Sequence, residues 1–467
     1  MQLPYERVFR LTERNGNSVK PEGIPKWLVA LVDISLANLG LYFGFVVATG
    51  ELQGFQIGPL FILFPAIALV TVLLFHSLGL YSSQRSGFTP ILRALITGVI
   101  GLTIFSILFA FWTRAFIFQR SVFIAAPLLQ LLFLMGWRLL YWRLDLWVHG
   151  QKKLLVIGSR NEVDHALEKI MCLPQGLFEV IKVLESDKIE EFQPWLGKSD
   201  AVLVTGALSL EQKNQIIRES FDQGREVFIV PDLYEIILAR AAITQVHDTP
   251  VIECHDMQLT FLQLFAKRAI DLTCALLIGV ITFPLLLLIS LIIRITSPGP
   301  VVFAQERVGF RGKPFILYKL RTMIVDAEEE CGPVFSTEED DRVTAVGRFL
   351  RATRLDELPQ LYNVLRGDLS IVGPRPERPF FVAKFQEEMP EYGLRHLVKP
   401  GITGLAQVNG YYATDSHDKL RYDLYYLADY STLMDFRILL LTIPTLFNRE
   451  AAKGVKSGTR ETVEKKS

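Results

Sequence analysis

Hydrophobic and polar positions divide this chain into segments of different period. Four apolar runs, Trp27–Thr49, Leu60–Tyr81, Ile91–Trp112 and Val122–Trp142, each approach the ~20 residues a helix needs to cross a bilayer. From Lys152 to about Asp256 short β-rich runs alternate with polar stretches. KLLVIGS, EVIKVLE, AVLVTG and EVFIVPD read as buried parallel strands, with Glu162–Met171 and Leu210–Gln223 as crossover helices. Another apolar run, Ala269–Ile293, opens after Lys267-Arg268 and ends at Arg294. Beyond it, Pro300–Gln305 and Lys313–Lys319 read as strands around a Gly-rich turn at Gly309–Gly312, and Val325–Asp341 as an acidic, solvated excursion. Leu355, Leu358, Leu361 and Leu365 recur at helical spacing and predict a short amphipathic helix. YDLYYLADYSTLMDFRILLLTIPTLF is aromatic and then amphipathic, as in interfacial helices, and the residues from Glu450 are polar.

Charge orients these segments. Lys20 and Lys26 precede the first run, Arg85 lies between the second and third, and Arg143, Lys152 and Lys153 follow the fourth. The loop Gly50–Gly58 carries no Lys or Arg, so both ends of the bundle are expected in the cytoplasm, with Arg114 and Arg120 the exceptions. Asp33, near the cytoplasmic end of the first run, is expected to make an interfacial or inter-helix hydrogen bond. The run Ala269–Ile293 has cations at both ends and Phe283-Pro284 at its middle, where proline removes a helical hydrogen bond. A re-entrant helix–break–helix, entering and leaving one leaflet, fits that pattern better than a fifth span. Asp271, just inside its entry, is a candidate partner for a cation near the interface.

Half the residues are apolar and mean hydropathy is +0.30, as membrane segments require. The 49 basic and 49 acidic residues cancel, which argues against nucleic acid as a partner. Cys172, Cys254, Cys274 and Cys331 are scattered, suggest neither zinc nor a disulfide framework, and are expected as reduced thiols. The N-terminus is polar for some 25 residues, unlike a cleaved signal peptide. Residues 151–258 predict a Rossmann-like α/β module, but GSRNEV after the first strand lacks GxGxxG. An interaction or assembly role is therefore expected there ahead of nucleotide binding.

The chemistry concentrates between Leu350 and Glu377. Asp356 and Glu357 stand side by side among Arg348, Arg351, Arg354, Arg366, Arg375 and Arg378. Both acids are expected in the first turn of the amphipathic helix, where Pro359 is tolerated because first-turn amides have no intrahelical partner. Acids at that position also complement the helix dipole, but a helix start has no need of six guanidinium groups. An acid pair among arginines suits a diphosphate: one carboxylate attacks phosphorus, the other holds Mg²⁺, and the arginines neutralise oxygens.

LDELPQLYNVL followed by GDLSIVGPRP closely resembles the bacterial sugar transferase family, the monotopic polyprenyl-phosphate phosphoglycosyl transferases. SPGPVVFAQERVGFRGKPFILYKLRTM and HLVKPGITGLAQVNG resemble two further signatures of that family. The resemblance implies that Asp356 is the nucleophile of a covalent phosphosugar intermediate, with Glu357 beside Mg²⁺. It carries over Arg354, Pro374, Arg375, Pro376, Lys319, Arg321, Lys399 and Gln407 as substrate-binding candidates, and Pro284 as the turn of a membrane hairpin. Gln305 and Arg307 are further donors, and the two glycines of KPGITG are expected to let the backbone approach a ligand. Leu320, Leu405, Tyr411 and Tyr412 depart from the family pattern, which leaves the sugar open.

The expected architecture is a membrane α-helical bundle (residues 1–150), a Rossmann-like α/β module (151–258), and an α+β monotopic transferase domain with a re-entrant membrane helix (259–467). The expected activity is transfer of a hexose-1-phosphate from a UDP-sugar to polyprenyl (undecaprenyl) phosphate, releasing UMP. This would begin exopolysaccharide, capsule or O-antigen synthesis at the cytoplasmic face of a bacterial inner membrane. The alternatives are an inactive membrane assembly protein and a nucleotide-sugar oxidoreductase or epimerase. The intact motifs oppose the first, and the absence of GxGxxG and YxxxK in the module opposes the second. The sequence leaves homo-oligomerisation open.

Overall fold

The computed structural model describes residues 24–50, 58–81, 87–113, 120–171, 178–206, 208–239, 241–254, 257–325, 340, 342–410 and 415–446. Most of the acidic excursion after Val325, Tyr411 and Tyr412, and the tail from Glu450 lie outside them. The chain forms two compact units, Met1–Gln151 and Lys152–Ser467.

The first unit contains α1 (Lys26–Thr49), α2 (Gly58–Ser77), α3 (Phe88–Trp112) and α4 (Val122–His149). Small residues let α1 and α4 touch: a Cβ on Gly44 would lie 2.3 Å from the Ala126 Cα. Asp33 is buried and pairs with Arg138 of α4, and Arg138 also donates to the Leu80 carbonyl and packs over the Tyr81 ring. The inter-helix role expected of Asp33 is the one observed.

The second unit begins with β1 (Lys152–Gly158), α5 (Arg160–Met171), β2 (Phe178–Glu185), α6 (Gln193–Leu196), β3 (Ala201–Val204), α7 (Leu210–Asp222), β4 (Glu226–Ile229) and α8 (Leu233–Leu238). The four strands run parallel in the order β2-β1-β3-β4, and the apolar runs of β1 and β3 fill the centre of the sheet. A hairpin of β5 (Ala242–Val246) and β6 (Thr249–Glu253) follows, which sequence reasoning did not anticipate. Pro250 argues against a strand, and the turn has no Asn-Gly or Asp-Gly signal; His247 takes the positive φ of 58° instead.

α9 (Phe261–Thr296) starts from a Thr260/Gln263 capping box and runs 36 residues with Pro284 inside. The expected break at Phe283-Pro284 is absent: the element is one continuous helix. Proline deletes a single backbone donor, and a helix absorbs that loss by bending without leaving helical φ/ψ. By length and composition α1, α3, α4 and α9 are able to cross a membrane, and the part of α2 with described side chains is a shorter apolar helix.

The remainder packs against both ends of α9, at Lys267 and Ala275 and at Ile289 and Ile293. β7 (Val302–Val308) and β8 (Pro314–Leu320) form an antiparallel hairpin. α10 (Ala345–Thr353), a 3-10 turn (Leu355–Glu357), α11 (Gln360–Arg366), β9 (Ser370–Val372) and α12 (Pro379–Glu388) follow. A 3-10 segment (Pro390–Leu397), β10 (Gly401–Thr403), α13 (Leu405–Asn409), α14 (Ser416–Ala428) and α15 (Thr432–Leu446) complete the unit. Its core gathers Ala275, Leu361, Val364, Ile371, Tyr426 and Ile438.

Candidate active site

Asp356 and Glu357 do not lie in the first turn of a regular helix. Arg354 closes α10 in the left-handed region (φ 56°) and turns the chain into the 3-10 turn, with Pro359 capping α11. A left-handed arginine is strained, as backbone near functional sites often is. Leu355 consequently packs with Leu350 and Ile289, while Leu361 packs with Val364 and Ile371, so the leucine stripe serves two cores.

Glu357 accepts from Arg375 Nη2 at 2.9 Å, and the same oxygen lies 3.5 Å from Lys319 Nζ on β8. Burial opposes the Glu357 charge, but Arg375, Lys319 and Arg354 together outweigh it and hold this carboxyl well below the usual range. Asp356 responds oppositely: burial, reinforced by the neighbouring Glu357 charge, pushes it up to about 6 despite Lys319, Arg351 and Arg375. Burial also lowers the Lys319 ammonium, only partly offset by Glu357. Two adjacent carboxyls are thus driven apart in acidity, the usual mark of separate chemical roles.

The segment presenting Arg375 is held at four successive carbonyls. Pro374 O accepts from Gly401 N (2.9 Å), Arg375 O from Arg395 Nη2 (2.8 Å), Pro376 O from Arg307 Nη1 (3.2 Å) and Glu377 O from Val308 N (2.9 Å). Arg395 is buried, and its Nε donates to Asp423 on α14 at 3.0 Å. Behind this segment the entry of α9 grips β9. Lys267 Nζ donates to Val372 O (2.8 Å) and Asp435 (2.9 Å), while Asp271 accepts from Ser370 Oγ (2.9 Å) and Ile371 N (2.8 Å).

Arg307, Lys319, Gln360, Arg375 and Pro376 line one cleft. Other candidates stand elsewhere. Arg321 donates to Ser297 O at 2.7 Å, at the exit of α9. Gln407 donates to Ile402 O at 2.8 Å. Lys399 sits in the charge field of Arg268, Asp271 and Asp368. Among the described residues no hydrogen bond or ion pair joins these three to the dyad. Arg366 pairs with Asp368 at the far end of α11. Gly401 also lines the cleft, and a Cβ there would lie 2.1 Å from Gly373 N, so this glycine lets main chain pack closely at the cleft wall.

Sequence reasoning missed Gln360, Asn363 and the Arg395–Asp423 pair. Asn363 is fully buried and ties α11 to β8 through Tyr318 N (3.2 Å) and Ile316 O (2.7 Å). Its place in the quoted YNVL was the only available signal.

Among the described residues no three metal-ligating side chains cluster. The dyad still fits Mg²⁺, which typically takes one or two carboxylates and completes its shell with water and substrate phosphate. A cation there would also offset the Glu357 repulsion that adds to burial in raising Asp356.

The family profile described as Bacterial sugar transferase matches residues 262–449. The UDP-glucose:undecaprenyl-phosphate glucose-1-phosphate transferase of Escherichia coli (strain K12) is 32% identical over 429 residues, covering 83% of this chain and 89% of the relative. The UDP-N-acetylgalactosamine-undecaprenyl-phosphate N-acetylgalactosaminephosphotransferase of Aeromonas hydrophila is 38% identical over 230 residues, or 49% of this chain and 53% of the relative. The exopolysaccharide production protein PSS of Rhizobium leguminosarum bv. phaseoli is 40% identical over 196 residues, 40% of this chain but 98% of the relative. With near full-length similarity to the first and the dyad motif intact, the chain belongs to the bacterial sugar transferase family.

Proposed function

We propose that this chain transfers a sugar 1-phosphate from a UDP-sugar to undecaprenyl phosphate, releasing UMP, as the initiating step of exopolysaccharide or O-antigen synthesis. The observation that carries this reading is the split dyad, Asp356 near pH 6 beside a strongly acidic, cation-bound Glu357. Asp356, ionised at neutral pH, attacks the phosphorus bearing the sugar; the bond to the UMP oxygen breaks and UMP leaves with that electron pair. An oxygen of the lipid phosphate then attacks the aspartyl-bound phosphorus, and the carboxylate of Asp356 is released. Arg375 and Lys319 neutralise diphosphate oxygens in both steps. Mg²⁺, held by Glu357 with Asp356 beside it, would supply further charge neutralisation. Release of UMP beyond one per protein that depends on added polyprenyl phosphate tests the reading; sustained turnover indifferent to lipid contradicts it. Glucose and N-acetylgalactosamine relatives both match, so a panel of UDP-sugars names the donor.

Glu357→Gln should raise the Mg²⁺ concentration needed for half-maximal rate by about tenfold, since a charged acceptor is replaced by a neutral one. An unchanged metal titration would assign the ion to other groups.

The proposed setting is the cytoplasmic face of a bacterial inner membrane, with α9 re-entrant through a bend at Pro284 in place of the expected break. Support comes from its two ends, both held by the transferase part: Lys267 by Val372 and Asp435, Ile289 and Ile293 by Leu320 and Leu350. Between them the helix exposes Leu276, Leu277, Val280, Ile281 and Phe283. Cysteines introduced at Ala266 and Ser297, without the native ones, should both resist an impermeant thiol reagent in intact cells and both react after the membrane is opened. Labelling at 297 alone in intact cells would mean that α9 crosses.

A further inference from the structure

The α/β sheet carries no glycine-rich phosphate loop, yet one of its margins is occupied. β4 ends at Ile229 and passes through Pro231-Asp232 into α8, whose Ile236 is 4% exposed and packs with Val308, Tyr392, Leu420 and Leu424. All four belong to the transferase part. Arg421 of α14 fastens the same corner: Nε donates to Pro231 O at 2.9 Å, Nη2 lies 3.4 Å from Asp232, and Nη1 donates to Asp418 at 2.9 Å. Lys213 of α7 pairs with Glu235 of α8 at 2.5 Å, which ties the docked helix back to the sheet layer. The carboxyl ends of strands are where ligands bind in open α/β sheets. Here the chain leaving β4 is a protein contact.

Two of the residues packed on Ile236 lead to the Arg375 segment, Val308 directly to Glu377 and Tyr392 by way of Arg395. Val308 N bonds Glu377 O at 2.9 Å, and Tyr392 Oη accepts from Arg395 Nη1 at 2.5 Å. Leu424 adjoins Asp423, the carboxylate that orients Arg395. Arg395 in turn fixes the carbonyl of Arg375, whose guanidinium reaches Glu357.

We propose that the α/β module is a positioning element of the transfer site: Pro231–Leu238 braces α14 and Tyr392, and through Arg395 sets the main chain of Arg375. This rests on the transfer reading above. The match to the Rhizobium protein spans 196 residues, 98% of that protein and near the length of the family match at 262–449, so the role proposed for the module is to tune the site and not to create it.

The test is a double-mutant cycle on the full-length membrane protein. It measures kcat/KM for UMP release from UDP-glucose and UDP-N-acetylgalactosamine with undecaprenyl phosphate. Misplacing a catalytic contact by an ångström costs up to about a hundredfold, so partial loosening by Ile236→Ala should cost about tenfold. Ile236→Val, which keeps most of the contact, should cost less than about twofold. In an Arg375→Ala background, where the positioned group is gone, Ile236→Ala should cost less than about twofold as well. Equal losses in both backgrounds would overturn the proposal, because a merely stabilising module acts independently of Arg375. So would full activity in a variant whose α14 amides exchange faster with deuterium. If Ile236→Ala does not fold, Arg421→Gln enters the same cycle from the half-exposed rim. Wild type that releases no UMP contradicts the transfer reading and the inference together; additivity in an active wild type contradicts the inference alone.

Discussion

Asp356→Asn should lower lipid-dependent UMP release by about a thousandfold or more, because an amide of nearly the same shape cannot attack phosphorus. Folding should not suffer. Asp356 is buried and its carboxyl is pushed up to about 6, first by burial and then by Glu357. Between about pH 4 and 6 the folded chain therefore binds a proton that the unfolded chain releases. The stability this contributes is complete below the unfolded pKa and is lost as pH rises through the folded one. Removing the charge should thus leave the Asn variant as stable at pH 7–8 as wild type, or more stable by roughly 1–3 kcal/mol. The same ionisation predicts that wild-type kcat/KM rises with pH along an acid limb at or below about 6, the lower side being favoured where Mg²⁺ offsets the Glu357 repulsion. A variant that loses activity because it melts earlier, or a flat acid limb in wild type, would argue for a structural Asp356.

Arg395→Met should be the most destabilising single change near the site. It keeps the apolar stem but leaves Asp423 buried without its partner, and breaking a buried pair on one side costs about 3–5 kcal/mol. Asp423 is already pushed up to about 6 by burial, even against the adjacent Arg395 charge. Without that charge its folded pKa rises further. Stability gained from the protonated acid is then present at low pH and lost as pH rises through the higher value. The Met variant should accordingly lie closest to wild type near pH 5 and furthest from it near pH 8, in thermal melts of the purified protein. A deficit independent of pH would mean that packing around Tyr392, not the ion pair, carries the role of Arg395.

Patterns with a local physical cause could be read from the chain. Apolar length marked the membrane helices, and β-rich runs separated by polar helices marked a parallel sheet. The dyad motif drew attention to Asp356, Glu357 and Arg375, and the KLRTM stretch to Lys319; the fold brings the four to one place. Tertiary causes were not legible. Arg395 and Asp423 stand 28 residues apart, and Lys267 and Asp435 stand 168 apart, with no periodicity linking either pair. The 3-10 setting of the dyad depends on Arg354 at positive φ, a conformation no local rule assigns to arginine. Pro284 was read as a helix break because it removes a backbone donor midway between cations at both ends of the run; the helix continues through it. Arg321 and Gln407 share the motifs of the site residues, yet their side chains donate to the Ser297 and Ile402 carbonyls.

The most direct test of the account is mass analysis of wild-type protein incubated with a UDP-sugar in the absence of lipid. The peptide containing Asp356 should gain the mass of one phosphosugar, with one UMP released per protein, and added undecaprenyl phosphate should discharge it. Unmodified protein that nevertheless transfers sugar phosphate when lipid is added, or an adduct on any other residue, would contradict it.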